Sequence, residues 1–104
     1  MKMKIVKVSY TVKPEFARQN IDNIEAVMND LKKSHLAGIF YFVCVDDDAK
    51  TFTHTAIFNS AEHQKLLTGL PSFKYFQEQL KSSGPEVPPR QEMPTLVGSS
   101  TETF

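Results

Sequence analysis

Seven consecutive apolar or aromatic residues, Ile39 to Val45, constrain this chain more than any other feature. Side chains of these types favour β-strands. Because neighbouring side chains of a strand point to opposite faces of a sheet, a strand without polar residues must be covered on both faces. The run from Asp46 to Lys50 then turns the chain, and residues 51–58 alternate, with Phe52, His54, Ala56 and Phe58 on one side. The stretch predicts a central β-hairpin that needs an apolar neighbour on each face.

Length and composition limit what the protein can be. The 104 residues predict a single domain, 1–104. Twelve basic and twelve acidic residues leave no strongly basic surface, so we expect no nucleic-acid partner. The single cysteine, Cys44, excludes an internal disulfide, and its strand context predicts a buried apolar filler. The sequence shows neither a signal peptide nor a run of about 20 apolar residues, so a cytoplasmic protein without membrane contact is predicted.

Strand and helix patterns precede the hairpin. Residues 5–12 alternate, with Val6, Val8, Tyr10 and Val12 on one face and Lys7, Ser9 and Thr11 on the other. Pro14 suits the first turn of a helix. Apolar residues then recur at helical spacing, which predicts one amphipathic helix. These residues are Ala17, Ile21, Ile24, Met28 and Leu31.

The second half of the chain predicts a broken helix and a last strand. Ser60 offers an N-cap oxygen for a second helix, which Gly69 and Pro71 interrupt. Ser72 is predicted to cap a further helical piece. Residues 84–94 contain four prolines and are predicted to form a loop or an extended arm. Residues 95–104 are predicted to form the last strand.

The predicted order is strand, helix, strand, strand, helix, strand. This order predicts an α+β, ferredoxin-like βαββαβ fold, with a four-stranded antiparallel sheet and two helices on one face. The other face stays bare, and each large apolar side chain left in water there forfeits roughly 1.5–3 kcal/mol of burial. We therefore expect a homodimer in which two sheets pack face to face, a dimeric α+β barrel.

Several segments resemble the antibiotic biosynthesis monooxygenase-like proteins of the dimeric α+β barrel superfamily. The similar segments are Tyr10-Thr11-Val12-Lys13-Pro14, Gly38-Ile39-Phe40, Phe58-Asn59-Ser60 with Leu66-Leu67, and Ser72-Phe73-Lys74. The resemblance covers nearly the whole chain. It implies a pocket between the sheet and the helices of each protomer, and oxidation of polycyclic phenols without metal or flavin.

One branch of that family degrades haem, using an Asn on strand one, a Trp on helix two and a His further along that helix. The corresponding positions here hold Lys7, Leu67 and Gln77. None of them matches, so the resemblance does not extend to haem degradation. Many other members carry a His at the position of Leu67, and this chain lacks it.

The candidate site combines one histidine with a pocket wall. His54 is either a general base or a histidine hydrogen-bonded within the fold. Lys7, Ser9 and Thr11 are predicted to lie beneath the broken helix. They would form a ligand site with the residues Leu67, Tyr75 and Phe76. The arm 84–94 is predicted to act as a lid or to cross to the partner.

No glycine-rich phosphate loop, metal-ligand cluster or Ser/His/Asp arrangement occurs, so no cofactor is expected. The predicted function is that of a small-molecule-binding protein, as a cofactor-independent oxygenase or isomerase acting on an aromatic compound. The alternative is a homodimer that binds a ligand without catalysis or has a purely structural role. A closed pocket of a few hundred cubic ångströms between sheet and helices, with converging polar groups, would favour an enzyme, and a space filled by Phe, Leu and Met would favour a structural dimer.

Overall fold

The structure is a computed structural model that describes residues 3–100. It contains four strands and three α-helices, and a short 3₁₀ turn (Pro14–Phe16) leads into the first helix. The elements are β1 (Lys4–Thr11), α1 (Ala17–Ser34), β2 (Ile39–Val45), β3 (Thr51–Phe58), α2 (Ala61–Thr68), α3 (Pro71–Ser83) and β4 (Val87–Glu92).

The strands form one antiparallel sheet in the order β2-β3-β1-β4. This confirms the predicted α+β, ferredoxin-like fold. The hairpin is not central as a whole, because β1 pairs with the other side of β3 and leaves β2 at the edge of the sheet. The register aligns His54 with Val8 on one side and with Val43 on the other. Because paired residues share a face, the alternation of β1 and β3 places their apolar side chains together on one face.

The helices cover that face, and the core lies between them. Phe52 and Phe58 from β3 are each 2% exposed, while Val27 of α1 is 1% exposed. The predicted stripe of α1 lies on the core side, where Ile24 is buried and Ile21 packs against the cluster. Helical spacing therefore identified the face of α1 that the sheet buries.

The last strand differs from the prediction. β4 begins at Val87, inside the proline-rich segment, and residues 95–100 form no strand. Residues 101–104 of the predicted strand lie outside the described part of the chain. Ser9 pairs with Arg90 but Thr11 pairs with Val87, so Pro88 and Pro89 together face the single residue between them on β1. An edge strand with a bulge tolerates prolines because their missing N–H groups are not needed there.

Two smaller expectations are also corrected. α3 begins after Leu70 with Pro71 in its first turn, so Ser72 lies inside the helix and does not cap it. A proline at this position supplies a helical φ, which made a side-chain cap unnecessary. Cys44 is exposed, because it lies on the face of β2 that the helices do not cover.

The uncovered face, called the open face below, is mixed in character. Phe40 is 50% and Phe42 39% exposed there, with ring centroids 5.4 Å apart. Hydroxyl pairs bridge β1 and β3 on this face, Ser9 with Thr53 at 3.2 Å and Thr11 with Thr51 at 2.9 Å. No helix within residues 3–100 has the length and hydrophobicity to cross a bilayer. The single domain and the cytoplasmic location stay predictions.

Candidate functional site

A cavity of about 510 Å³ lies between the sheet and the helices α2 and α3, and it is partly open to solvent. Its walls are mainly aliphatic and aromatic, and the sheet forms its floor. Its lining includes Val6, Val8, Tyr10, Tyr41, His54, Ala56, Leu67, Phe73, Phe76, Gln77, Lys81, Pro85, Pro88 and Pro89. The space is therefore not filled by Phe, Leu and Met, as a purely structural core would require.

Three polar side chains meet at the cavity floor. The Tyr10 hydroxyl lies 2.7 Å from Nε2 of His54, and the Tyr41 hydroxyl lies 2.6 Å from Nδ1 of the same ring. Tyr10 is opposite Phe52, and Tyr41 is opposite Ala56, so each tyrosine is diagonal to His54 on a neighbouring strand. Such diagonal neighbours lie within reach of long side chains. The two tyrosines therefore approach the imidazole from opposite sides.

Helix α1 supplies a fourth member of this group. Nδ2 of Asn20 donates to the Tyr10 hydroxyl at 2.9 Å, and Asn20 is 0% exposed. The residue lies one turn before Ile24 on the core side of α1. The four side chains form a continuous hydrogen-bonded chain, Asn20–Tyr10–His54–Tyr41, which we call the tyrosine–histidine chain.

Aromatic rings of α3 hold the imidazole in place from above. The ring of Phe76 lies 5.2 Å from that of His54, and Phe73 lies 6.5 Å from Tyr41 in an edge-on arrangement. Both helix residues also line the cavity. An imidazole packed in this way and hydrogen-bonded at both nitrogens has little rotational freedom.

Burial decides the protonation of the group. Removal from water lowers the pKa of His54 to about 4, because the charged form loses hydration. The same desolvation raises the pKa of both Tyr10 and Tyr41. At neutral pH the imidazole is therefore uncharged and both phenols keep their protons. These three side chains therefore offer polarised hydrogen-bonding groups rather than charges.

Three of the predicted site residues lie at the cavity, and four do not. His54, Leu67 and Phe76 line it. Lys7, Ser9 and Thr11 lie on the open face, on the other side of the sheet, so their predicted position beneath the broken helix is wrong. Their side chains alternate along β1 with those of Val6, Val8 and Tyr10, which face the helices. Because alternate residues of a strand share a face, assigning β1 to the wrong face misplaces all three residues together. Tyr75 lies outside the cavity and is 51% exposed.

The sequence did not predict that Tyr10 and Tyr41 form hydrogen bonds with His54. Tyr10 and Tyr41 are recognisable as strand tyrosines, but their convergence on one histidine depends on the register of three strands. Asn20 carries a local signal that was missed: it lies three residues after Ala17 and four before Ile24, on the apolar stripe. A polar residue in such a stripe usually has a buried partner.

The proline-rich segment contributes a wall of the cavity. Pro88 and Pro89 of β4, together with Pro85, contact the space from the sheet edge. Nζ of Lys50 lies 2.8 Å from Oε1 of Glu86 and ties the start of this segment to the hairpin turn. The segment, predicted as a loop or an extended arm, thus lines the cavity as an edge strand. Its role as a lid or as an arm that crosses to the partner stays a prediction.

Within residues 3–100, no group of three or more His, Cys, Asp or Glu side chains is arranged to hold a metal ion. The lining side chains that can interact with a polar ligand are hydroxyl, amide and imidazole groups, with Lys81 as the one charged residue of the described lining.

The fold is shared with proteins of known structure. No family model and no curated protein sequence matches the chain. Solved structures do: the chain has the α+β fold of the antibiotic biosynthesis monooxygenases. The resemblance inferred from the sequence is therefore confirmed at the level of the fold.

Three of these structures illustrate the similarity. SnoaB, a cofactor-independent oxygenase from Streptomyces nogalater, superimposes with a TM-score of 0.72 at 10% identity, covering 98% of this chain and 100% of SnoaB. Rv0793 from Mycobacterium tuberculosis superimposes with a TM-score of 0.76 at 13% identity, covering 96% of this chain and 100% of Rv0793. A Caulobacter crescentus CB15 protein classed with these monooxygenases superimposes with a TM-score of 0.76 at 16% identity. The match covers 92% of this chain and 91% of that protein.

Proposed function

We propose that the protein binds a small aromatic molecule in the helix-side cavity and acts on it as a cofactor-independent oxygenase or isomerase. The observation that carries this proposal is the cavity itself. Its volume of about 510 Å³ falls within the usual range for small-ligand sites, roughly 300–1,000 Å³. Aromatic and aliphatic walls suit a flat ring system, and the tyrosine–histidine chain supplies converging polar groups at one place.

The structural neighbours support the same class of function. SnoaB shares the fold over its whole length and is a cofactor-independent oxygenase. At 10% identity this likeness shows a shared fold only. The support for an activity in this chain comes from its own cavity.

The chemistry that the site favours is stabilisation of an oxygen anion. An aromatic substrate with an acidic hydroxyl or an enolisable carbonyl reacts through a phenolate or an enolate. Hydroxyl donors fixed in a cavity of low polarity stabilise such an anion more strongly than water does. In an oxygenation the substrate anion supplies the electrons that reduce O₂: one oxygen atom forms a new carbonyl group on the ring, and the other leaves as water with the two hydrogens that the substrate loses. In an isomerisation the anion takes its proton back at another carbon.

His54 has a different part in this proposal from the general base that the sequence suggested. Burial lowers the pKa of His54 to about 4. The imidazole is therefore neutral at pH 7 and is too weak a base to hold a proton taken from the substrate. Both of its ring nitrogens are occupied by tyrosine hydroxyls. His54 therefore orients and polarises the tyrosines. The substrate loses its proton to water at the open side of the cavity, because the anion that remains is stabilised.

The second candidate is a ligand-binding protein without catalytic activity. The observation that favours it is the occupation of both nitrogens of His54, the one imidazole among the described lining residues. A site without an available proton acceptor binds a phenol or ketone readily but has no strong means of starting a reaction.

Binding and turnover of naphthols separate these candidates. We expect 1-naphthol and 1,3-dihydroxynaphthalene to stabilise the protein, by about 2.7 kcal/mol at a hundred times Kd, with oxygen uptake above the protein-free rate. The Phe76→Ala variant should bind more weakly, and Tyr75→Ala, outside the cavity, should behave like the wild type. Binding without turnover of oxygen or isomer supports the second candidate. Failure of both compounds and a wider set of bicyclic phenols and ketones to bind overturns the proposal.

We also propose that the protein is a homodimer that pairs through the open face. Phe40, Phe42 and Cys44 are exposed on the same face of β2, and the neighbouring strands add Ile57 and a row of threonines. A second copy would cover these apolar rings without closing the cavity, which lies on the other side of the sheet. Obligate interfaces of this kind commonly bury more than about 2,000 Å² in total.

A further inference from the structure

The direction of the tyrosine–histidine chain follows from counting its hydrogen atoms. Nδ2 of Asn20 is the donor to the Tyr10 hydroxyl. A tyrosine hydroxyl has one proton and two acceptor lone pairs. Because Tyr10 accepts from Asn20, its own proton is available for Nε2 of His54, which lies 2.7 Å away. Nε2 is then the acceptor, and the proton of the neutral imidazole is on Nδ1.

The next step brings the chain to the cavity. With its proton on Nδ1, His54 donates to the Tyr41 oxygen, which lies 2.6 Å away. Tyr41 then keeps its own hydroxyl proton. Tyr10 is 2% and His54 6% exposed, whereas Tyr41 is only partly buried and lines the cavity. Its proton is therefore the one that a bound molecule can reach.

The opposite direction is less favourable for two reasons. An Nε2–H group would donate to a Tyr10 oxygen that already accepts from Asn20, and the Tyr10 proton would have no acceptor among the described residues. Reversing the Asn20 amide would restore an acceptor for Tyr10 but would leave both amide hydrogens of a fully buried side chain unpaired. Unpaired buried donors are rarer in proteins than unpaired acceptors, and Oδ1 of Asn20 is such an acceptor here.

We propose that Asn20 fixes the direction of the tyrosine–histidine chain, so that Tyr41 presents a hydroxyl proton to the cavity and selects ligands that carry an acceptor oxygen there. The ligand class is an aromatic compound with a phenolate, enolate or carbonyl oxygen. This inference rests on the proposed function for its ligand but not for its hydrogen-bond direction. Tyr41 is the group that contacts the ligand, while Asn20, Tyr10 and His54 are positioning residues.

Two consequences distinguish this arrangement from a merely structural one. His54 is predicted to carry its proton on Nδ1, although Nε2 is the more common site in free histidine. In addition, each group in the chain increases the donor strength of the next, because hydrogen bonds in series polarise one another. Burial raises the pKa of Tyr41, so this residue donates a hydrogen bond without losing its proton.

The first experiment reads the tautomer directly. Long-range ¹H–¹⁵N correlation spectra of uniformly labelled protein report which ring nitrogen carries the proton in each of the three histidines, and His54→Gln assigns the signal. We expect the Nδ1–H form for His54 at pH 7. In Asn20→Leu the Nδ1–H population should fall, and in Asn23→Leu it should not. Asn23 is a matched control, because it is buried on the same helix but bonds to Gln19 instead.

The second experiment tests the ligand. We expect wild-type protein to bind 4-nitrophenolate at pH 8 more tightly than 4-nitrotoluene, and Tyr41→Phe to lose this preference by about tenfold or more, the size of one hydrogen bond to a charged group. An Nε2–H tautomer in the wild type overturns the inference, as does a preference for the phenolate that Tyr41→Phe leaves unchanged. If neither probe nor the naphthols bind, the proposed function fails, and the tautomer still decides the direction of the chain.

Discussion

The Tyr41 hydroxyl and Nδ1 of His54 lie 2.6 Å apart although the two residues belong to different strands, β2 and β3. Their direct cross-strand neighbours are Ala56 and Val43, so the contact runs diagonally across the face that the helices cover. The small side chain of Ala56 leaves room beside it for the cavity. This relationship joins the predicted hairpin to the cavity, and it gives the predicted site residue His54 a partner that the sequence did not predict.

Stability should depend on pH through His54. Its pKa is about 4 in the folded protein because of burial, and near 6.5 in the unfolded chain. Above pH 6.5 both states are neutral and the contribution to stability is fully present. As the pH falls toward 4, only the unfolded state takes up the proton, so stability is lost, by roughly 2–3 kcal/mol. Urea unfolding between pH 7 and pH 4 measures the loss. His54→Gln should show a shallower dependence than the wild type; equal slopes for the two proteins would contradict the assignment.

Removing the two hydroxyls should have unequal effects. Tyr10→Phe leaves Nδ2 of Asn20 and a nitrogen of His54 without partners in the buried core, which should cost about 1–3 kcal/mol. Tyr41→Phe should cost less, because water in the partly open cavity can replace the lost hydroxyl. Chemical denaturation of both variants compares them under the same conditions. A larger loss for Tyr41→Phe would mean that its hydroxyl, and not that of Tyr10, is the structural one.

Adding volume should separate the cavity from the solid core. Ala56 lines the cavity, whereas Val27 of α1 is 1% exposed and does not line it. We expect Ala56→Leu to change the free energy of unfolding by less than about 1 kcal/mol, because the added side chain can enter the cavity. Val27→Phe should lower the free energy of unfolding by about 1–3 kcal/mol, because it overpacks the core. Naphthol binding should weaken in Ala56→Leu. A loss for Ala56→Leu as large as that for Val27→Phe would show that the space is not available to a ligand.

A charge on the open face should disrupt the proposed dimer. Phe42 is 39% exposed on this face, and Tyr75 is 51% exposed on α3. Phe42→Glu would bury an unpaired carboxylate between two sheets, which is strongly unfavourable, so dissociation is expected. Tyr75→Glu should remain dimeric. Sedimentation velocity at micromolar concentration distinguishes the species, and a folded wild-type monomer at that concentration would refute the dimer.

Purified protein should contain no flavin, haem or stoichiometric metal. The sequence has one cysteine and three histidines, without the glycine-rich loop or the ligand spacing that these groups require. Absorption spectra from 300 to 700 nm and elemental analysis test this expectation directly. A visible band that persists through purification would contradict it.

The sequence alone predicted the elements whose signals are local. Periodicity identified α1 and its buried face, the apolar run identified β2, and Gly69 with Pro71 identified the break between α2 and α3. These features predicted the ferredoxin-like order because each depends on residues close together in the chain. The similarity of Tyr10-Thr11-Val12-Lys13-Pro14 and the other short segments to one family pointed to the same fold.

The sequence by itself determined a β-hairpin, with apolar residues on both faces of its first strand, within an α+β fold. The central position predicted for this hairpin holds for β3 alone, because β2 lies at the edge of the sheet. Only the tertiary structure decided which face of β1 the helices cover, and so excluded Lys7 from the cavity. It also placed β4 on the proline-rich segment, because a bulge opposite β1 accommodates Pro88 and Pro89. Finally, it brought Asn20, Tyr10 and Tyr41 to His54, through the register of three strands and the docking of one helix. Such contacts join residues up to 44 positions apart, and local sequence patterns carry no record of pairing over that distance.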